Sequence, residues 1–317
     1  MRAVFLGTPA TAVPALEALL AAGHDIALVV TQPDRPAGRS GRPQASALKV
    51  CALGHGLQVV QPAKVRGSDF LGLIARARPD VLAVVAYGRL LPKPVLDAAP
   101  HGAVNLHFSL LPALRGAAPV QWALARGETE TGLTTFRLDE GLDTGDLLLQ
   151  KRLAVAPGEH APSLLARLAV AGGELLVATL VRLASGTVHP VPQDHARASG
   201  APLLTREDGL WDPSWTAASL EGRVRGFDPW PGVWASRAGA RMRLVEARAL
   251  AGESTEAPSG TVLAIEGHAA RMACARGSVA AVDAVQLEGG RAMTAREASN
   301  GRVLLPGDLL GRLESTA

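Results

Sequence analysis

Two polar side chains, Asn105 and His107, end the short apolar run Ala103–His107 and could do chemistry together. In a β-strand, residues i and i+2 point to the same face, so these two side chains project together. A carboxamide donor beside an imidazole is typical of a site where a carbonyl group is polarised and a proton is moved. The acid- and glycine-rich segment Leu138–Asp146 could bring a carboxylate to this imidazole.

A histidine near a strand end is often only a hydrogen-bonded structural residue. The interpretation as a reactive site therefore depends on Asn105, His107 and the acidic loop occurring together. The sequence contains no GxGxxG dinucleotide fingerprint, no GxxxxGK[ST] phosphate loop, no HExxH and no GxSxG. These absences disfavour a dehydrogenase, a nucleotide hydrolase of the P-loop type, a zinc protease and a serine hydrolase.

The elements that must position these residues follow an α/β pattern. An apolar strand (3–7), a helix (8–23) and a second apolar strand (26–31) form a βαβ unit, which implies parallel pairing. Residues 81–86 predict a strand buried on both faces, and Tyr87 and Gly88 follow at its carboxyl end, where ligands bind in open α/β sheets. We therefore predict a Rossmann-like, open and mostly parallel sheet with helices on both faces.

The later part of the chain changes character. Residues 187–207 contain three prolines and little periodicity, which indicates a linker. Short alternating strands beyond it predict a small β-barrel resembling the oligonucleotide-binding type. The predicted domains are residues 1–186, the linker 187–207 and residues 208–317.

Composition narrows the class of protein. With 48% hydrophobic residues and a net charge of +3, the chain is globular rather than disordered. Two distant cysteines are too few for a disulfide framework or a CxxC zinc site, so a cytoplasmic, metal-free protein is expected. No apolar run approaches the length of a membrane span, so no membrane segment is expected. Arginines cluster in two basic zones, which could bind a polyanion, and we assign the tryptophans Trp211, Trp215, Trp230 and Trp234 to packing.

Several motifs together resemble a known family. Asn105-x-His107-x-Ser109-Leu-Leu-Pro112, followed by Leu138-x-x-Gly-Leu-Asp143-Thr-Gly-Asp146, resembles the formyltransferases that use 10-formyltetrahydrofolate. The segments Thr31–Arg39, Val85–Gly88, Arg115–Pro119 and Asp228–Pro231 are also similar. Within that family, the match is close to members whose acceptor is methionyl initiator tRNA.

The resemblance implies a mechanism for these residues. Asn105 and a protonated His107 would donate hydrogen bonds to the oxyanion that forms on the formyl group, and Asp143 would favour the imidazolium. The folate would be held by residues that follow the strand ends and by the acidic loop: Ser109, Leu110, Leu111, Pro112, Tyr87, Gly88 and Asp139. The formyl donor is a co-substrate, and neither a metal nor an obligate protein partner is implied.

The same resemblance implies tRNA contacts at Arg35, Arg39, Arg42, Lys49 and Arg206. Two departures from the family pattern weaken this basic surface. The family commonly carries two lysines after a Gly-Arg-Gly stretch, where this chain has Ser40-Gly41-Arg42-Pro43. The linker also lacks a usual lysine, and Arg206 is the nearest basic residue.

Two alternatives remain open. A formyltransferase acting on a sugar nucleotide or a ribonucleotide amine would share the catalytic residues and differ in its acceptor. A folate- or RNA-binding protein without catalysis would be expected to lack one of Asn105, His107 or Asp143, and all three are present.

Overall fold

The computed structural model describes residues 1–36, 41 and 43–313. These fall into two compact units. The first comprises Met1–Pro119, Glu130–Ala154 and Leu165–Pro202, and the second comprises Val120–Thr129, Val155–Leu164 and Leu203–Ala317. Each unit is described here by itself.

Strands and helices alternate through the first part of the chain. In order, they are β1 (Arg2–Gly7), α1 (Val13–Ala21), β2 (Asp25–Val30), β3 (Arg35–Pro36), β4 (Pro43–Gln44), α2 (Ala47–Gly54), β5 (Val59–Val60), α3 (Ser68–Ala77), β6 (Val81–Val85), α4 (Lys93–Leu96), β7 (Ala103–His107), α5 (Pro119–Ala125), β8 (Glu130–Arg137), β9 (Leu147–Ala154) and α6 (Ala161–Ala184). The βαβ opening predicted from the sequence is confirmed.

The main sheet has the strand order β5-β2-β1-β6-β7-β8-β9. The first five strands run parallel, whereas β8 and β9 pair in the antiparallel sense. The central strands β1 and β6 are buried almost throughout, as expected for strands covered on both faces. This confirms the predicted Rossmann-like sheet, and it places the ends of β6 and β7 side by side.

Helix α6 approaches the first unit's core through two adjacent glycines. A Cβ atom at Gly172 would lie 2.7 Å from Leu106 Cδ2 on β7, and one at Gly173 would lie 2.8 Å from the Pro14 carbonyl oxygen on α1. Glycine is unfavourable in a helix interior, so its presence here is explained by the close packing that it permits. This packing supports β7 directly beneath Asn105 and His107.

Length and apolar composition alone would allow α6 to cross a membrane. However, 56% of its apolar window is buried within the protein. Leu168, Leu176 and Leu180 are fully buried, and Thr179 Oγ1 shares a 2.7 Å hydrogen bond with Thr135 Oγ1 of β8. These contacts are those of a core helix.

The second unit contains a curved antiparallel sheet. Its elements are α7 (Ala217–Gly226), β10 (Val233–Arg237), β11 (Ala240–Ser254), β12 (Val262–Glu266), β13 (Ala269–Ala273), β14 (Ser278–Leu287), β15 (Ala292–Thr294), α8 (Ala295–Asn300) and β16 (Leu310–Gly311). The strand order is β12-β13-β14-β11-β10-β16, with β15 beside β14.

This sheet closes on itself. A bridge between Thr261 and Leu309 joins the start of β12 to the segment that enters β16. The Leu310 N–H donates to the Gly260 carbonyl at 2.9 Å, next to that bridge. The predicted small barrel is therefore confirmed, although the sequence analysis did not predict β10, β15, α8 or β16.

The tryptophans differ from one another in burial. Trp211 is fully buried and its indole N–H donates to the Leu310 carbonyl at 3.2 Å, so its assignment to packing is confirmed. Trp230 has 51% of its surface exposed, so the same assignment was wrong there. Its flanking prolines restrict the backbone around it, which the composition of a barrel does not reveal.

The two helix-interior glycines Gly173 and Gly72 should respond oppositely to replacement by alanine. Gly173→Ala should lower the free energy of unfolding by about 1–3 kcal/mol, because the new Cβ would meet backbone at 2.8 Å. Gly72→Ala in α3 should raise it by about 0.5–1 kcal/mol, because the nearest atom is 3.5 Å away on the flexible Arg76 side chain. Urea denaturation measures both, and a stabilising Gly173→Ala would contradict the close packing of α6.

Candidate active site

The end of β7 presents Asn105 and His107 on one face. Phe136 and Thr134 of β8 lie opposite them in the antiparallel register. The Phe136 ring meets the His107 ring edge-on, with 6.4 Å between the centroids. Asn105 is half-buried, and its carboxamide has no hydrogen-bond partner among the described residues. This leaves its N–H groups free to donate to a ligand.

The two nitrogens of His107 face different groups. Nε2 lies 2.9 Å from the Leu114 carbonyl oxygen. Because a carbonyl oxygen can only accept, Nε2 carries a proton and donates it. Nδ1 lies 3.7 Å from Asp143 Oδ2, which is too long for a direct hydrogen bond but close enough for a strong electrostatic interaction.

Asp143 is held in an unusual position. Its backbone has φ of +55°, in the left-handed region, and its side chain is almost buried. The Gly116 N–H donates to Oδ2 at 2.8 Å. Asp139, by contrast, is exposed and shapes the same loop by accepting from the Gly141 N–H at 3.1 Å and from Thr144 Oγ1 at 2.8 Å. The structure thus brings Asp143, and not Asp139, to the imidazole.

Burial sets the protonation state of His107. The surrounding protein lowers the pKa of His107 below its ordinary value, while the Asp143 carboxylate and the Leu114 carbonyl partly oppose this effect. The ring is therefore neutral at neutral pH, whereas the sequence led us to expect an imidazolium. A neutral ring beside a carboxylate can accept a proton during a reaction, and the carboxylate then stabilises the cation.

The segment Ser109–Pro112 is fixed by its own hydrogen bonds. Thr134 Oγ1 donates to the Ser109 carbonyl at 2.7 Å and accepts from the Leu111 N–H at 3.1 Å. Gln150 Nε2 donates to the Leu111 carbonyl at 2.8 Å, and the Ala113 N–H donates to that of Leu110 at 3.1 Å. These three carbonyls are already paired within the protein, so a ligand-binding role for the segment stays a prediction.

A cavity of about 500 Å³ lies between the end of β6 and the acidic loop. Its apolar lining includes Leu71, Leu91 and Val95, and charged groups are provided by Arg66, Lys93 and Glu140. A cavity of this size and character suits a drug-sized organic ligand with an anionic group.

Tyr87 and Gly88 precede that lining in the chain. The Tyr87 side chain is 2% exposed, and its hydroxyl is buried without a partner within the part of the chain that the structure describes. Burial raises the pKa of Tyr87, so the hydroxyl remains a neutral donor. Gly88 has φ of +76°, and a Cβ there would lie 2.8 Å from Gln32 Nε2, which requires glycine.

The predicted tRNA-contacting residues differ in their surroundings. Lys49 Nζ lies 2.7 Å from Asp34 Oδ2, and hydrogen bonds from Lys49 and Gln61 lower the pKa of Asp34. Arg35 Nη2 donates to Gln32 Oε1 at 2.7 Å. Arg206 is exposed, and its side chain makes no hydrogen bond or ion pair among the described residues, whereas Arg39 and Arg42 lie outside those residues.

The basic zone of the second unit is largely paired with acids. Its ion pairs include Arg237–Asp308 at 2.7 Å, Arg243–Asp228 at 2.8 Å, Arg241–Glu288 at 3.3 Å and Arg248–Asp283 at 3.4 Å. Arg223 lies over the Trp215 ring, 4.4 Å from its centroid. The cluster of arginines in the sequence therefore overstates the free positive charge in this unit.

One group of side chains within the described residues could hold a metal ion. The ligand atoms of Glu17, Cys51 and His55 lie within 4.8 Å of one another, and Glu17 and His55 are exposed. None of these residues belongs to the Asn105, His107 and Asp143 site, so the group contributes no ligand to it.

Sequence reasoning missed four residues that shape the site: Leu114, Gly116, Phe136 and Gln193. Leu114 and Gly116 act through backbone groups, which side-chain type does not reveal. Phe136 was treated only as part of an alternating strand, and Gln193 only as part of a linker.

Comparisons with known proteins agree with this geometry. Residues 1–180 match the family described as formyl transferase, and residues 203–303 match the formyl transferase C-terminal domain. The methionyl-tRNA formyltransferase of Acidobacterium capsulatum is 49% identical over 98% of this chain and 100% of its own length. That of Anaeromyxobacter sp. strain K is 47% identical over 95% of this chain and 97% of its own.

A solved structure shares the fold at low identity. The N-formyltransferase from Helicobacter canadensis, in complex with folinic acid and dTDP-3-aminofucose, covers 89% of this chain and 98% of its own. The TM-score is 0.64 and the identity 14%.

Replacing Asp143 by asparagine should lower the pKa of His107 further. The carboxylate charge raises that pKa, and an asparagine side chain would keep an acceptor for the Gly116 N–H while removing the charge. The measurement is an NMR titration of the imidazole Cε1–H, assigned by its loss in His107→Asn. Asp146→Asn, in the same loop, is the control and should leave the titration unchanged. A raised pKa in Asp143→Asn would contradict the proposed electrostatic contact.

Proposed function

The chain belongs to the formyl transferase family, and we propose that it transfers the formyl group of 10-formyltetrahydrofolate to the α-amino group of methionyl initiator tRNA. The product, formylmethionyl-tRNA, serves translation initiation, and the proposed location is the cytoplasm. The observation that carries the chemistry is the Asn105 carboxamide, unpaired within the described part of the chain, beside the buried His107–Asp143 pair. The acceptor rests on the relatives that are 47–49% identical over nearly the whole chain.

The reaction joins the amine nitrogen to the formyl carbon and then breaks the bond from that carbon to N10 of the folate. In the first step the carbonyl oxygen gains negative charge. The Asn105 carboxamide, which has no hydrogen-bond partner among the described residues, can donate to that oxygen. A preorganised donor of this kind is worth about 3–4 kcal/mol in the transition state.

The proton of the attacking amine also needs an acceptor. Neutral His107 offers the Nδ1 lone pair, and Asp143 stabilises the imidazolium once it forms. The proton can then pass to N10 as the folate leaves, which restores the neutral ring. The enzyme thereby moves one proton from nucleophile to leaving group and returns to its starting state.

The folate is proposed to occupy the cavity between β6 and the acidic loop. Its ring system suits the apolar walls, and its glutamate carboxylates suit Arg66 and, in competition with Asp97 at 2.7 Å, Lys93. The Tyr87 hydroxyl, buried and without a partner among the described residues, precedes this lining in the chain but is not part of it.

The tRNA contacts are proposed at Arg35, Arg39, Arg42, Lys49 and Arg206. Contacts of this type neutralise phosphates and position the tRNA without reading its sequence. Arg206 is supported most directly, because its side chain is exposed and makes no hydrogen bond or ion pair within the described part of the chain.

The decisive assay measures formyl transfer from 10-formyltetrahydrofolate to methionyl initiator tRNA. Elongator methionyl-tRNA, uncharged tRNA and a dTDP-linked amino sugar serve as alternative acceptors. Transfer to the initiator alone supports the proposal. Transfer to the amino sugar in preference to both tRNAs would establish the sugar-nucleotide alternative instead.

Asn105→Ala should lower kcat about 100- to 1,000-fold, because the oxyanion loses a preorganised donor. Folding should be preserved, since Asn105 makes no side-chain hydrogen bond to the described residues. The measurement combines the formylation assay with thermal denaturation. Asn300→Ala, at the exposed end of α8, is the matched control and should retain full activity. Near-normal turnover by a folded Asn105→Ala enzyme would remove Asn105 from the mechanism.

Arg206→Ala should raise the KM for methionyl-tRNA roughly two- to tenfold, with kcat retained. One phosphate contact would be lost, so the slope of log affinity against log salt should become shallower by about 0.7–0.9. Binding at several salt concentrations tests this directly. Lys64→Ala, which removes an exposed charge of the same sign, should leave the slope unchanged. An unaltered slope in Arg206→Ala would place Arg206 outside the tRNA-binding surface.

A further inference from the structure

A segment far along the chain lies against the loop that follows β7. We call residues 193–201 the strap. The Arg115 N–H donates to the Ser199 carbonyl at 2.8 Å, and the Ala201 N–H donates to the Arg115 carbonyl at 2.6 Å. The Leu114 N–H donates to Ser199 Oγ at 2.9 Å. The strap therefore pairs along Leu114 and Arg115 in the manner of a short strand.

The approach is close enough to require glycine at position 116. A Cβ there would lie 2.5 Å from the Ala201 carbonyl oxygen, and Gly116 has φ of +122°. Any other side chain would push the strap away from the loop. Gly116 is also the residue whose N–H donates to the Asp143 carboxylate.

Gln193 connects the strap to Asp143 itself. Its Nε2 donates to the Asp143 carbonyl at 2.9 Å and to the Gly145 carbonyl at 2.7 Å. Its Oε1 accepts from Arg115 Nη2 at 2.6 Å and from Nε at 3.2 Å. The side chain is buried, with 6% exposed, and both its nitrogen and its oxygen are hydrogen-bonded, as a buried amide requires.

These contacts surround a strained stretch of backbone at Asp143. Asp143 is left-handed, a conformation that side chains other than glycine adopt at a cost unless their surroundings hold them. Gln193 holds its carbonyl, and Gly116 holds its carboxylate. Leu114, also paired with the strap, accepts from His107 Nε2. The strap thus contacts the residues that fix both members of the His107–Asp143 pair.

We propose that Gln193 is a positioning residue for formyl transfer, which holds Asp143 in its left-handed conformation so that the carboxylate faces His107. The inference rests on the proposed function, because it assigns Gln193 a role in that reaction. It also implies that Gln193 belongs functionally to the active site, although the composition of the segment around it is that of a linker.

Gln193→Met tests the proposal, because methionine keeps the length of the side chain and removes its hydrogen bonds. We expect kcat to fall about 10- to 100-fold, the effect of displacing a catalytic group by about an ångström, with the KM for the folate changed less than twofold. The pKa of His107 should fall, as it should in Asp143→Asn, because the carboxylate no longer faces the ring.

A double-mutant cycle separates positioning from general destabilisation. If Gln193 acts through Asp143, Gln193→Met should lower kcat little further in the Asp143→Asn enzyme. Asp194→Ala is the neighbouring control, since Asp194 only caps a turn by accepting from the Ala196 N–H, and it should retain normal kcat and an unchanged His107 titration.

Arg115→Lys provides a second variant should Gln193→Met fail to fold. Lysine keeps the charge but loses the two-pronged contact with Gln193 Oε1, so kcat should fall by less and the His107 pKa should move in the same direction.

Three results would overturn the inference: an unchanged kcat in folded Gln193→Met, an unshifted His107 titration in whichever variant folds, or fully additive effects with Asp143→Asn. Failure of the wild-type enzyme to formylate methionyl-tRNA would instead reject the proposed function, and the His107 titration would still test the positioning contact.

Discussion

The burial of the Asp143 carboxylate beside His107 is the constraint on which the rest of the site depends. A carboxylate removed from water is costly unless hydrogen bonds or an opposite charge compensate it. The Gly116 N–H provides one such bond, but the neighbouring imidazole is neutral because burial lowers its pKa. Asp143 therefore offsets part of the cost that burial imposes on a proton at His107. This coupling favours proton uptake at the moment the attacking amine must lose a proton.

The fold meets this constraint by bringing together three distant segments. β7 ends with the imidazole, the acidic loop carries Asp143, and the strap holds the backbone between them. The contacts that hold these segments use backbone groups or glycine. The Leu114 carbonyl accepts from His107, the Gly116 N–H donates to Asp143, and Gly172 lets α6 pack closely against β7. Backbone contacts of this kind have little freedom, so the distance between His107 and Asp143 is fixed before any substrate binds.

Much of the fold, and the proximity of His107 and Asp143, could be predicted from the sequence. Apolar periodicity predicted the parallel sheet and the barrel, and the i, i+2 spacing placed Asn105 and His107 on one face, as observed. The positioning contact of Gln193 was not predictable, since its partner at Asp143 is distant in the chain and is a carbonyl. The neutral state of His107 was missed because it depends on burial. The arginines of the barrel were overrated because the acids that pair with them lie far away in the chain, as Asp308 does from Arg237 and Asp283 from Arg248.

The same geometry limits which residues can select one acceptor over another. In the proposed mechanism a carboxamide, an imidazole and a carboxylate act on the formyl group and on one amine, and they would serve an amino sugar as well as an aminoacyl-tRNA. Discrimination must therefore come from groups that meet the rest of the acceptor. Among these, a cation that is already paired contributes less: a phosphate at Lys49 must compete with Asp34 at 2.7 Å, whereas the exposed side chain of Arg206 makes no ion pair among the described residues and acts only through its charge on the neighbouring Glu207. The pairing of charges, more than their number, thus determines which basic residues can bind tRNA strongly.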